Sequence, residues 1–413
     1  MKLLLSLYAC RPNEGSEPGV GWAWALGMAR RHETRVLTRA AYRDRIEAEL
    51  ERLGLPPGER PRFIYCEASS RLRRLHTRKR IPTQLYYLFW QFAARRAYDS
   101  QDWRADVIHH VTFNSFQIPG VWWNRREKVV LGPLGGMASC PHAFLRCFSF
   151  RGRVMEAMRT LCRKLWWMNP FYMRSRRHAD CLVFTEGGVA RRIGGPKALP
   201  DGLFELAVPE TLLSAPDPGS GRHRQRRFIW AGRLEGRKAC EIAIRAFAAA
   251  FRDVPDPPHF EIAGDGPYRA RTEALVKDLG LGGPVVFAGS LPREELWRRF
   301  SNSTALVFSS VRDTSGNVVL EALACGTPVV CFNHQGVGEM TDDACAIRVE
   351  PTSFERSVCG FAEAMRRLDG DPALADRMGA AGRKRALERF TWERKFDAAD
   401  QIYRKLLGDD PHA

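Results

Sequence analysis

In GRLEGRK, just after the apolar run Arg227–Ala231, Arg233 and Lys238 stand immediately ahead of a stretch with helical periodicity. Two fixed cations in a strand-end loop beside a helix N-terminus have the chemistry that holds a diphosphate. Taken alone, they read equally well as solvated surface charges. Farther along, SSVRDTSGNVVLEALACGTPVV (residues 309–330) places Asp313 in a loop and opens a helix near Asn317. The amides of Gly316, Asn317 and Val318 are the unsatisfied donors of that helix start and suit an anion. Glu321 lies one turn inside. Asp313 and Glu321 bracket the helix start, and paired acids accept hydrogen bonds from sugar hydroxyls. The plainer reading makes Asp313 a helix cap and Glu321 a charge that favours the helix dipole.

Between these segments, Gly264-Asp265-Gly266-Pro267 closes another apolar run. Glycines there either let backbone approach a ligand or make a tight turn. Arg269 occupies the place of the third glycine of a dinucleotide fingerprint, which argues against such a site. Asp369-Gly370-Asp371 precedes Pro372 and reads as a helix N-cap with proline in the first turn, not as a pair of metal ligands. No HExxH or GxxxxGK[ST] occurs, and no metal or other cofactor is expected.

Positioning such loops takes strands that end where the loops begin. Short apolar runs alternate with amphipathic stretches along most of the chain, the pattern of βα units in parallel sheets. The runs predict strands at 2–8, 34–38, 62–66, 107–111, 128–131 and 181–185, then at 227–231, 259–263, 285–288, 305–308, 328–332 and 346–349. Helical spacing fits 21–31, 239–251, 268–279 and 317–324 best. A stretch rich in Pro, Gly and Ser separates the two sets. The expected division is a first domain at 1–205, a linker at 206–226, a second domain at 227–389 and a closing helix at 390–413. The fold class is α/β, with two doubly wound domains and a cleft between them. Ligands of such folds bind at the carboxyl ends of the strands.

Composition agrees with a folded chain: 45% of the 413 residues are hydrophobic and 27% charged. No apolar run approaches the roughly 18 residues of a membrane span. MKLLLSLYAC resembles a signal peptide but runs straight into ArgProAsnGluGly, and it reads as a buried first strand. The 11 cysteines form no CxxC and read as buried thiols, which favours a cytoplasmic chain. Net charge is +17, and residues 1–205 hold 35 Lys/Arg against 18 Asp/Glu while 206–413 hold 29 of each. Such a half favours an anionic partner or surface.

GRLEGRK, GDGP, FAGS (287–290) and S-x-x-D-x-x-G-N-x-x-x-E-A-x-A-x-G-x-P-V, in that order, resemble the C-terminal domain of family 4 retaining glycosyltransferases of GT-B fold, of the bacterial polysaccharide and lipid-glycan type. In the first half, ACRPNEGSEPGVGWAWA, DVIHHVTFNS and GPLGG (132–136) carry the same resemblance, and FTWERKFDAADQIYRKLL (390–407) resembles the helix that crosses back to the first domain. The resemblance implies two Rossmann-like domains facing each other across a cleft, the second holding a nucleotide-sugar donor and the first presenting a glycan or lipid-linked acceptor. It implies hexose transfer with retention of anomeric configuration, in cell-surface polysaccharide synthesis, with no metal. Arg233 and Lys238 then meet the donor diphosphate and Glu321 the ribose. Gly316 to Val318 meet phosphate or sugar. His110 lies near the reacting sugar, and Gly19 and Gly21 sit in a loop passing close to donor or acceptor. Asp313 stands where the family usually carries a glutamate, so its contact with the donor sugar is shifted by about the 1.5 Å of one carbon–carbon bond.

RLRRLHTRKR (71–80), followed by IPTQLYYLFWQFAARR, and the stretch 151–177 with Trp166, Trp167, Phe171 and Tyr172 mix cations with aromatics. Such mixtures favour an anionic membrane surface, reached from the cytoplasm, on the inner face of the cytoplasmic membrane. The bland reading is solvated helix faces with the aromatics turned inward. A nucleotide-sugar epimerase and a non-catalytic anion-binding protein are the competing functions. No RNP-like strand or recognition helix supports nucleic acid.

Overall fold

The computed structural model describes all residues except 15, 114, 200–202, 215–224, 315 and 409–413. Residues 215–224 of the expected linker therefore lie outside the described residues. All twelve expected strands form: β1 (Lys2–Leu7), β2 (Glu33–Arg39), β3 (Arg62–Cys66), β4 (Val107–Thr112), β5 (Lys128–Leu134) and β6 (Cys181–Phe184), then β7 (Gln225–Ala231), β8 (His259–Ala263), β9 (Val285–Gly289), β10 (Ser303–Phe308), β11 (Val329–Phe332) and β12 (Ala346–Val349). They build two six-stranded sheets, ordered β3-β2-β1-β4-β5-β6 and β12-β11-β10-β7-β8-β9. Every pairing is parallel. Strands covered on both faces by helices bury nearly every side chain, as in β1, β4 and β10, where even the two histidines of β4 are buried.

Each sheet reverses its strand order once, between β1 and β4 in the first and between β7 and β10 in the second. At such a switch point, neighbouring loops leave the carboxyl edge in opposite directions and open a crevice.

The chain divides into two compact units: Met1–Met137 with Leu165–Glu205 and Trp392–Ala413, and Ala138–Lys164 with Leu206–Thr391. Residues 138–164 thus pack with the second sheet, which revises the first domain read from the sequence as an uninterrupted 1–205. That excursion carries six Lys/Arg against one acid, Glu156, so part of the basic excess moves with it. In the first unit the closing helix Trp392–Leu407 is fastened by charge and by aromatic packing. Arg31 reaches Glu393, Asp397 and Asp400 at 2.5, 2.8 and 2.9 Å. Phe396 packs edge-on to Trp24, and the Tyr403 hydroxyl bonds His109 Nδ1 at 2.6 Å. In the second unit, helices Cys240–Phe251 and Phe354–Gly370 cover the sheet with Ile242, Phe247, Phe361 and Met365, all fully buried.

Candidate functional site

The loop after β7 and the loop after β10 meet at the switch point of the second sheet, and hydrogen bonds lace them together. Ser309 Oγ donates to the carbonyl of Ala239 at 3.0 Å and accepts from Trp230 Nε1 at 3.1 Å. The amide of Val311 donates to Arg237 O at 2.9 Å. On this frame Lys238 Nζ donates to Oδ2 of Asp313 and stands 5.0 Å from the Phe308 ring centroid. Arg237 approaches the same oxygen at 3.5 Å. Both side chains of the lysine–aspartate pair are largely shielded, with 13% and 17% exposure, so their orientation is held rather than solvated away. Arg233 is exposed and has no ion-pair or hydrogen-bond partner among the described residues.

Asp313 does not cap the helix. Gly316, at φ +47°, is the residue before the helix Asn317–Ala324, and no side chain among the described residues caps that start. The first amides are therefore left for an anion. Glu321, one turn in, is 7% exposed and receives both Nη2 and Nε of Arg293 on Oε1, at 2.8 and 3.1 Å. It is an oriented carboxylate in an ion pair, not merely a charge favouring a dipole.

The Gly264/Gly266 pair serves neighbouring backbone. Leu234 N donates to Asp265 O at 2.9 Å and Tyr268 N to Leu234 O at 3.0 Å. A Cβ on Gly264 would overlap the Gly232 carbonyl. The glycines dock the β8 loop against the GRLEG loop and so fix Arg233's base. Asp371 accepts from Leu374 N at 2.8 Å with Pro372 in the first turn, and Asp369 binds Arg226 at 2.8 Å. That pair of aspartates is structural.

Two glycines in the first unit stand differently from the sequence reading. Gly19 and Gly21 lie inside the helix Ser16–Ala29, not in a loop. A Cβ at Gly21 would overlap the Ala9 carbonyl oxygen, and one at Gly19 that of Glu14, so the close approach is to the chain itself. His110, inside β4, is fully buried. Its Nε2 meets the Tyr87 hydroxyl at 2.5 Å and its Nδ1 the Ser6 hydroxyl at 2.8 Å. Burial, reinforced by the neighbouring His109, pushes its pKa down to about 3, and burial puts His109 at about 4. As placed, His110 is a neutral ring engaged at both nitrogens.

Gln335, Arg237, Arg293 and Arg312 were missed from the sequence. Gln335 Oε1 accepts from the Asp313 amide at 2.8 Å, and its Nε2 donates to Ser139 O at 2.7 Å. The signal was there in NHQGVGE, another strand-end loop with a glycine after the apolar run of β11. Arg312 reaches back to Glu156 at 3.1 Å, a partner that no spacing rule could supply.

The basic stretches divide. Arg71, Arg73 and Arg74 on the helix Ser70–Thr77 are exposed, whereas Tyr86, Tyr87, Trp90 and Tyr172 are core residues. The inward reading holds for those aromatics, while Phe89, Phe92 and Trp167 face outward. No described helix is long and apolar enough to cross a membrane.

Residues 218–385 match the family of glycosyl transferases group 1. A GDP-mannose-dependent alpha-(1-6)-phosphatidylinositol monomannoside mannosyltransferase from Mycolicibacterium smegmatis is 30% identical over 256 residues, covering 55% of this chain and 64% of that enzyme. The match thus spans less than two thirds of the relative. Among solved structures, sucrose-phosphate synthase from Thermosynechococcus elongatus superposes with a TM-score of 0.63 at 19% identity, covering 99% of this chain and 100% of the other. HepE of Anabaena in complex with UDP gives a TM-score of 0.58 at 15% identity, covering 97% and 99%. At these identities the likeness is one of fold, and that fold is GT-B.

Proposed function

We propose that this chain, with a GT-B fold and a second unit matching the glycosyl transferases group 1 family, is a glycosyltransferase that moves a hexose from a nucleotide-diphosphate sugar to a glycan or lipid-linked acceptor. The observation that carries the reading is the convergence, at one switch point, of Lys238, Asp313 and an uncapped helix start.

Breaking a sugar–phosphate bond leaves growing charge on the diphosphate while the sugar becomes oxocarbenium-like. Lys238, held by Asp313, and the amides of Gly316 to Val318 are donors fixed before the reaction, and Arg233, rooted in the adjoining loop, adds a second cation as that charge develops. Asp313 holds the ammonium in place and offers an oxygen toward the sugar. Glu321, oriented by Arg293, accepts from the ribose hydroxyls. The cations do the neutralising, so this reading assigns no metal.

Retention of configuration, a role in cell-surface polysaccharide synthesis and a cytoplasmic place are further parts of the proposal, supported by the motif resemblance. The decisive assay incubates the purified chain with UDP-glucose, GDP-mannose or ADP-glucose and follows release of nucleoside diphosphate with and without a lipid-linked or oligosaccharide acceptor. Acceptor-dependent release with an α-linked product supports retaining transfer. Conversion of the donor without acceptor supports an epimerase, and no turnover of any donor contradicts the enzyme.

A further inference from the structure

The helix Phe150–Lys164 of the second unit is turned inside out. Its one acid, Glu156, is 2% exposed and takes Arg159 at 2.7 Å and Arg312 at 3.1 Å; Arg163, on the same face, is 6% exposed. On the other face Phe150, Val154, Met158 and Leu161 are 76, 46, 58 and 58% exposed, and Met155 beside them 46%. Positions i, i+4, i+8 and i+11 form one stripe along a helix. At 100° per residue, Arg151 flanks one edge of that stripe and Arg153 and Lys164 the other, all of them exposed. A helix packed on its own protein turns its charges out and its apolar side chains in. Single exposed apolar residues are ordinary, but five on one helix face are a surface built for contact.

We propose that this face docks into the headgroup region of an anionic lipid bilayer. The charges select the occupant. A second copy would bring Arg151, Arg153 and Lys164 against the same cations in a two-fold contact, and like charges repel. Lipid phosphates complement that rim, while the stripe sinks to the acyl boundary without spanning. The buried face adds a consequence: Glu156 binds Arg312, whose neighbour Asp313 holds Lys238, so the docking helix also braces the candidate donor loop. Docking itself does not depend on the transferase reading, because its measurement needs no turnover.

The test is co-sedimentation of the full chain with vesicles of phosphatidylcholine alone or of equal parts phosphatidylcholine and phosphatidylglycerol. Binding to the anionic vesicles, weakened by salt, is expected. Met158→Glu/Leu161→Glu and Arg151→Gln/Arg153→Gln/Lys164→Gln are each expected to lower the partition coefficient at least about tenfold. All of these side chains are exposed, so circular dichroism and Tm stay as in the wild type. Three outcomes overturn the proposal: wild-type chain left in solution with both vesicles, equal binding to neutral and anionic lipid, or variants that partition like the wild type. Size exclusion showing a dimer that Met158→Glu/Leu161→Glu splits assigns the face to a second copy and overturns it as well.

Discussion

Lys238 Nζ donates to Oδ2 of Asp313, joining the loops that leave β7 and β10 at the reversal of strand order. In the proposed function this acid has two tasks, holding the ammonium, as the structure places it, and facing the donor sugar. A single aspartate oxygen, engaged by Lys238 and approached by Arg237, leaves its partner oxygen for the second task.

Replacing that acid is expected to cost transfer in proportion to lost charge. Asp313→Asn is expected to lower donor kcat/KM about 100-fold, roughly 2.7 kcal/mol of transition-state stabilisation. Asp313→Glu keeps the charge and should recover most of it, with a changed preference among donor sugars. Steady-state kinetics with the preferred donor measures this, and wild-type turnover by Asp313→Ala would reduce the residue to a tether.

Glu321 and Arg293 make a second pair, with the carboxylate buried and the guanidinium half exposed. Glu321→Gln is expected to raise the donor KM about tenfold, the worth of a charged hydrogen bond, with little change in kcat. Arg293→Ala should act in the same direction but more weakly, since it loosens the carboxylate without removing it. A kcat effect larger than the KM effect would move Glu321 from binding to chemistry.

Gly21 discriminates a fold role from a ligand role. A methyl group there would meet backbone, the Ala9 carbonyl, which cannot rotate away. Gly21→Ala is expected to destabilise the chain by about 2–4 kcal/mol, seen as a lower Tm and urea midpoint without any ligand present. An unchanged Tm with lost donor binding would restore the ligand role.

His109 and His110 are buried as neutral rings, with pKa values of about 4 and 3. In the unfolded chain each returns to about 6.5, so below that pH the unfolded state binds more protons. Their contribution to stability is complete above pH 6.5 and is lost as pH falls toward 4 and 3. Each is expected to account for about 2 kcal/mol of lost stability between pH 7 and 5. Urea unfolding of His110→Asn at both pH values should show a smaller drop than the wild type. An equal drop would mean that His110 does not bear the acid sensitivity.

The twelve strands were legible because parallel strands covered on both faces carry an apolar run at their centre, as FIWA does in β7. The placement of Lys238 beside Asp313, and of Glu321 one turn into the helix that follows, was legible because strand-end loops are short and their motifs local. His110 was not. A histidine in VIHHVT has the same neighbours in sequence whether its ring faces a ligand or, as here, Ser6 and Tyr87. The placement of 138–164 with the second sheet was equally hidden. It rests on contacts such as Glu156 with Arg312 and Ser139 with Gln335, between residues far apart in sequence that carry no shared pattern.

The most direct measurement is thermal unfolding of the wild type, Lys238→Met and Arg233→Met with UDP, GDP or ADP added. Ligand that binds only the native state raises Tm by mass action. One of the three nucleotides is expected to raise the wild-type Tm by several degrees and that of each variant by far less. Equal shifts in all three proteins, or none with any nucleotide, would contradict a diphosphate held by these two cations.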